Sequence, residues 1–232
     1  MSLKYSGDIV ASNANTGFML EDKFIKSYQK TKEADKGRLL LADSSYDIRW
    51  RIHTLLWAAK QAQNLEGDFV DCGAGFGLFS SAVVSYLDFE KIKKNYYLID
   101  SFEGLSKEHS SQDELKRTGD YYSKNPPWYD EIVERFSNYE NIKIIKGYIP
   151  DVLSTINIDK VSFLSIDMNT IIPEKEALEY FWPKMVSGGI VVFDDYGFPG
   201  HELQKESHDK FASENNLLIY TSPTGQGILI KP

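Results

Sequence analysis

From residue 68 onward the chain alternates short oily runs with amphipathic stretches, and this alternation constrains the fold more than any other feature. "DFVDC" precedes a helical stretch at 78 to 88, "YYLID" one at 129 to 138, and "IKIIK" a turn of helix near 151. "VSFLSID" leads into a helix at 174 to 185, and "GIVVFDD" into one at 201 to 214. Apolar strands separated by helices require a parallel sheet with right-handed crossovers and helices on both faces. After the last helix, "LLIYTS" and "GILIK" flank the turn-forming "PTGQG", which predicts a closing hairpin and an antiparallel edge.

Upstream, Ile48, Ile52, Leu55, Leu56, Ala59 and Ala62 hold a helical stripe that predicts a helix lying against the sheet. Leu20, Phe24 and Tyr28, four residues apart, predict a short amphipathic helix. Residues 1 to 18 are polar and read as loose or as a cap, so the expected division is a cap segment, 1–45, and one α/β domain, 46–232. About thirty residues from Ser101 to Asp130 lack a clear pattern, and a stretch that long inside a compact domain is expected to be a lid or binding loop. Tyr121, Tyr122, Trp128 and Tyr129 cluster there and could cover a ligand or anchor a lid.

The formal net charge of −8, without a Lys/Arg-rich run, argues against a nucleic-acid partner, which needs a basic face to displace counterions. A single cysteine, Cys72, offers no internal disulfide. No apolar run reaches the roughly 20 residues that span a bilayer, and the N-terminus does not read as a signal peptide. A cytoplasmic protein without membrane attachment is expected.

"DFVDCGAGFGLFSS" reads as strand, glycine turn and helix, with Gly73, Gly75 and Gly77 spaced G-x-G-x-G. Glycines let the backbone approach a ligand closely, and the following helix start offers free N–H groups. The dinucleotide fingerprint would need glycine at 78, where Leu78 stands, and no P-loop pattern occurs. Asp71, two residues before the first glycine, completes a pattern that resembles the cofactor loop of class I S-adenosylmethionine (SAM) methyltransferases. Asp100, with Ser101 after it, ends the next strand, where a carboxylate can accept both ribose hydroxyls or, alternatively, cap the following loop. Gly147 and Tyr148 follow the third strand, where this fold passes the adenine.

Two successive strands end in acids, Asp167 and then Asp194 and Asp195, which should meet at the carboxyl edge where open α/β sheets bind ligands. A helix started by Pro173 and stopped by Gly188 and Gly189 is expected to connect them. Three adjacent acids repel, so either some are protonated or a divalent cation neutralises them, and carboxylate oxygens suit Mg²⁺. An alcohol acceptor with a pKa near that of water, roughly 15.7, lies about 9 units above working pH, or about 12 kcal/mol. A general base supplies roughly 3 to 5 kcal/mol of that, so a Lewis acid is chemically apt. His201, in "GFPGHEL", is the candidate base; His208 shares its helix face and could merely line it.

These residues, with "RWRIHTLLWAAKQAQNLEGDFVDCGAGFG", "DSFEGL", "IDMN", "FWPKMVSGGIVVFDDYGFPG" and "PTGQG", resemble the macrocin O-methyltransferase-like family from about residue 46 onward. The resemblance implies a Rossmann-like class I methyltransferase fold with a seven-stranded sheet, and SAM held by Gly73, Gly75, Gly77 and Asp100. It further implies a metal on Asp167, Asp194 and Asp195, with transfer of a methyl group to a hydroxyl of a sugar or glycosylated metabolite. Asn169 stands where the family often has a second acid in D-x-D, and Thr170 where the catechol-type relatives place a lysine base. A small hydroxylated acceptor is thus the expected partner, and assembly as a homo-oligomer is compatible with the sequence. Two other classes stay open on the same residues: a SAM-binding regulatory protein without turnover, and an NAD-dependent oxidoreductase with an atypical glycine turn.

Overall fold

The computed structural model describes residues 5–38, 47–118 and 128–232. The chain opens with an antiparallel hairpin of β1 (Tyr5–Gly7) and β2 (Val10–Ser12), then α1 (Asp22–Asp35) and α2 (Arg49–Ala62). The alternating part follows as β3 (Asp68–Cys72), α3 (Leu78–Leu87), β4 (Tyr96–Asp100), α4 (Gln112–Thr118), α5 (Trp128–Phe136) and β5 (Ile142–Lys146). It ends with β6 (Val161–Ile166), α6 (Ile171–Phe181), β7 (Met185–Phe193), α7 (Glu202–Glu214), β8 (Tyr220–Thr221) and β9 (Gly227–Ile230). One seven-stranded sheet has the order β5-β4-β3-β6-β7-β9-β8, parallel through β7 and antiparallel at β9 and β8.

The central strands β3, β6 and β7 are mostly apolar and buried because both their faces are covered. Phe69, Leu98, Phe163, Ile190 and Val192 face a core shared with α1, α2, α3 and α5. Their sequence neighbours Val70, Ile99, Leu164, Val191 and Phe193 face a second core shared with α6 and α7. The two-residue period of a strand thus splits each oily run between two helical layers. All six residues of the expected stripe in α2 are buried.

Several boundaries differ from expectation for local reasons. Residues 5–12 are not loose, because Asp8 takes the left-handed conformation (φ 53°) that turns β1 into β2, and Val10 packs on the core. Leu20 precedes α1 in a 3₁₀ turn, Gly17–Leu20, and is 79% exposed, whereas Phe24 is buried and stacks with Tyr28. The helix after β6 starts at Ile171, with Pro173 inside its first turn. There a missing N–H costs nothing. It stops at Phe181, because Pro183 lies in the 3₁₀ turn Trp182–Lys184 and cannot supply the next helical N–H. Gly188 and Gly189 therefore do not end a helix: they lie inside β7, where the pairing with β6 shifts from Val161↔Met185 to Phe163↔Ile190. Of "LLIYTS" only Tyr220 and Thr221 pair as a strand. The patternless stretch contains α4, while Tyr121 and Tyr122 lie outside the described residues.

Phe163 is fully buried, 5.0 Å from Phe69, on the middle strand of the sheet. Phe163→Ala is expected to lower the unfolding free energy by about 3 to 5 kcal/mol, measured by urea denaturation followed by circular dichroism.

Candidate active site at the carboxyl edge of the sheet

The carboxyl ends of β3, β4, β6 and β7 open onto a cavity of about 380 Å³. At one end the turn after β3 is held by the amides of Gly73 and Ala74, which donate to the carbonyl of Ile99. Gly73 has φ 94°, and a Cβ there would lie 1.8 Å from the carbonyl oxygen of Asp167, so no other residue fits. Gly75 has open space where a Cβ would be, leaving room at the cavity wall for a ligand. Gly77 does not reach the cavity; its left-handed backbone (φ 82°) starts α3 against Ile132 and Phe136.

Asp100 accepts from the amide of Gly75 at 2.8 Å and from that of Phe102 at 2.6 Å. It therefore braces the glycine turn and caps its own loop at once, and burial pushes its carboxyl up. Ser101 also lines the cavity, although its hydroxyl donates to the carbonyl of Gly104 at 2.8 Å. Gly147 and Tyr148 line the same end, and a Cβ on Gly147 would collide with Val152 at 2.8 Å. Asp71 lies buried at the floor, where desolvation lifts its pKa to about 7 despite a hydrogen bond with Ser165.

At the other end Asp167, Asp194 and Asp195 each present a carboxylate oxygen within 4.8 Å of the others. Desolvation pushes all three upward; repulsion by Asp194 and Asp195 adds to it for Asp167, repulsion by Asp195 for Asp194, which rises to about 6, and repulsion by Glu174 for Asp195. The expected choice between protonation and a divalent ion was incomplete, because the protein supplies a cation of its own. Arg51 of α2, 3% exposed, donates through Nη1 to Asp194 Oδ2 at 2.6 Å and to Asp195 Oδ1 at 3.2 Å. Its signal was present in the sequence: position 51 falls three residues after Ile48 and four before Leu55, on the buried stripe, where a charge needs a partner. Gln226, fully buried in "PTGQG", donates to Asp194 Oδ1 at 3.1 Å.

Asn169 adds no charge: it has a left-handed backbone (φ 61°), and its side-chain amide donates to Asp167 Oδ1 at 3.1 Å. The amides of Met168 and Asn169 donate to buried Glu174, which also accepts from Gln204 and bonds His208 at 3.0 Å. His208 is thus part of the support behind the acid loop, stacked 4.2 Å from Phe193. His201 lines the cavity with Nδ1 3.7 Å from Asp195 Oδ2 and without a hydrogen-bond partner, and burial lowers its pKa so that the neutral imidazole is favoured.

The patternless stretch contributes a cover. In α4, Ser111 and Glu114 form a capping box, and Glu114 also accepts from the amide of Ile171 at 2.7 Å. Arg117 donates to the carbonyls of Asn169 and Gly200 and to Gln204. Trp128 closes the cavity edge-on to Phe76, and Tyr129 packs on Phe102.

A parallel sheet closed by an antiparallel hairpin, with a glycine turn and an acid cluster on one cavity, defines the class I methyltransferase architecture. The family model described as Macrocin-O-methyltransferase (TylF) matches residues 48–219, and the chain belongs to that family and is a SAM-dependent O-methyltransferase. No curated protein matches the chain in sequence. Among solved structures it is similar to the O-methyltransferase NovP, at TM-score 0.69 and 17% identity, over 94% of this chain and 99% of that one. It is also similar to the calicheamicin methyltransferase CalS11, at TM-score 0.63 and 12% identity over 90% and 93% of the two chains. A second CalS11 structure, described as a TDP-rhamnose 3'-O-methyltransferase, gives TM-score 0.56 and 14% identity over 87% and 93%. No helix among the described residues is long and apolar enough to cross a membrane.

Asp71 offers a test of the buried floor. Its folded pKa, about 7, lies above the ordinary 3.8, so its contribution to stability is present below pH 3.8 and is lost as pH rises through 7. Asp71→Asn should flatten the decline in urea midpoint between pH 5 and pH 8, leaving only the slope contributed by the other raised carboxyls.

Proposed function

We infer that this enzyme transfers the SAM methyl group to a hydroxyl of a sugar or glycosylated metabolite, with Mg²⁺ held by Asp167, Asp194 and Asp195. The observation that carries this reading is the acid cluster, with ligand oxygens within 4.8 Å of one another, on the cavity that also holds the glycine turn and Asp100. Hard oxygen donors at that spacing suit a small divalent cation, and a carboxyl lifted by burial and by its acidic neighbours, as Asp167 is, is stabilised as the anion when a cation joins it. Bound there, the ion would act as a Lewis acid on the acceptor hydroxyl. The description of CalS11 as a TDP-rhamnose methyltransferase, together with the family, supports a sugar rather than a catechol acceptor. Thr170, buried and hydrogen-bonded to the carbonyl of Met168, supplies no lysine-like base.

The chain's own groups divide the work by position. Gly73, Gly75, Gly147 and Tyr148 shape the donor end, with Asp71 beneath, while Asp100 and Ser101 face the ribose. Asp100 keeps a lone pair on each oxygen after accepting from Gly75 and Phe102. Asn169 fixes the orientation of Asp167. His201, neutral and unpartnered at Nδ1, takes the hydroxyl proton, while Asp195 beside it favours the imidazolium that results. Phe198, against the Arg51 guanidinium, lines the acceptor end, and Trp128, against Phe76 of the glycine turn, lines the donor end.

Calorimetric titration of EDTA-treated protein with SAM and S-adenosylhomocysteine, then with Mg²⁺, tests the assignment. Binding of both nucleosides and a separate Mg²⁺ heat that disappears in Asp194→Ala are expected; no nucleoside binding would overturn the cofactor site, and an unchanged Mg²⁺ heat the metal site. Asp100→Ala should weaken SAM at least roughly tenfold through two lost charge-assisted hydrogen bonds. His201→Asn should lower kcat by about 10²- to 10⁴-fold with the SAM dissociation constant unchanged, as single-turnover kinetics would show. Full turnover in that variant would remove His201 from the base role.

A further inference from the structure

Arg51 does more than offset charge at the acid cluster, because its guanidinium is divided between two parts of the molecule. Nη1 serves Asp194 and Asp195, and also the Asp194 carbonyl at 3.2 Å. Nε and Nη2 instead serve Asp8, at 3.1 and 3.4 Å. Asp8 sits in the turn of the β1–β2 hairpin with its side chain only 1% exposed. The ring of Phe198 lies 5.1 Å from the guanidinium, so the charge is shielded from water and can be balanced only by these carboxylates. The hairpin lies outside the segment matched by the family, which begins at residue 48.

We propose that Arg51 is a built-in counter-cation of the acid cluster and that Asp8, by holding the far side of its guanidinium, sets how tightly the cluster takes up a divalent ion. The proposal rests on the divalent-cation reading above. An ion placed among Asp167, Asp194 and Asp195 shares two of its three carboxylates with Arg51, and the two positive charges repel. Two of the guanidinium's donor nitrogens are anchored on Asp8, so only Nη1 reaches the cluster and Asp195 Oδ2 accepts nothing from it. Released from Asp8, the guanidinium could turn its full fork onto Asp194 and Asp195 and compete for the oxygens the ion needs. Asp8 is thus a positioning residue: it acts on the cluster through Arg51 and touches none of the reacting atoms. The N-terminal hairpin thereby becomes part of the acceptor-side machinery.

The test is titration with Mn²⁺, the free ion counted by electron paramagnetic resonance, on wild type, Asp8→Asn and Arg51→Gln. S-adenosylhomocysteine calorimetry and thermal melts run alongside. Asp8→Asn should bind Mn²⁺ roughly tenfold more weakly and Arg51→Gln roughly tenfold more tightly, both with unchanged nucleoside affinity. A merely structural arginine would lower the melting temperature without tightening the ion. Wild-type Mn²⁺ affinity in folded Asp8→Asn, or weaker binding in folded Arg51→Gln, overturns the proposal while leaving the metal site standing. If Arg51→Gln does not fold, Asp8→Asn decides alone. If wild type binds nucleoside but no Mn²⁺, the cation reading fails for the native enzyme. Uptake by Arg51→Gln would then support Arg51 as the resident cation, and no uptake there would overturn the proposal as well.

Discussion

The close approach of Gly73 to the carbonyl of Asp167 sets the geometry on which the site depends. β3 and β6 are neighbours in the sheet, and their backbones stay in contact past the last paired residues, with the Asp167 amide donating to the carbonyl of Cys72. The glycine turn and the acid loop therefore cannot be separated without breaking the sheet. A methyl transfer needs donor and acceptor atoms in line at short range, and the proposed donor and acceptor ends are joined here by main chain rather than by side chains that could rotate. The glycine requirement at 73 follows from this contact, whereas those at 75 and 77 arise from an open ligand wall and a helix start.

Charge is the second constraint. Asp8, Asp194 and Asp195 share one buried arginine, with Asp167 beside them, while Glu174 nearby is satisfied by backbone amides, Gln204 and His208. Buried carboxylates in excess of cations are costly, and the upward shifts of Asp167, Asp194 and Asp195 express that cost. Natural chains retain such strain chiefly where a ligand relieves it.

Much of this was legible because it is written in periods and strand ends. The oily runs announced the parallel sheet, and the placement of Asp71, Asp100, Asp167, Asp194 and Asp195 on one cavity follows from strand ends sharing one edge. Arg51 was overlooked because a stripe is read by its apolar members, although its position on that stripe marked it as a buried charge. The β1–β2 hairpin was illegible because three-residue strands carry no measurable alternation, and its stability comes partly from Asp8 reaching a residue 43 positions away. Likewise α4 was hidden because its seven residues carry a single apolar side chain, Leu115, too few to mark an apolar face; Glu114 and Arg117, binding backbone on other elements, hold it in place.

That last arrangement bears on how the enzyme chooses among acceptors. The helix α4 is fastened to the backbone at Asn169 and Ile171, next to Asp167, as well as to Gly200 and Gln204. A shift of α4 would be passed through Asn169 to the loop that orients Asp167. Such a shift would be read as lost reactivity rather than as weak binding, so discrimination between acceptors would show in turnover more than in affinity.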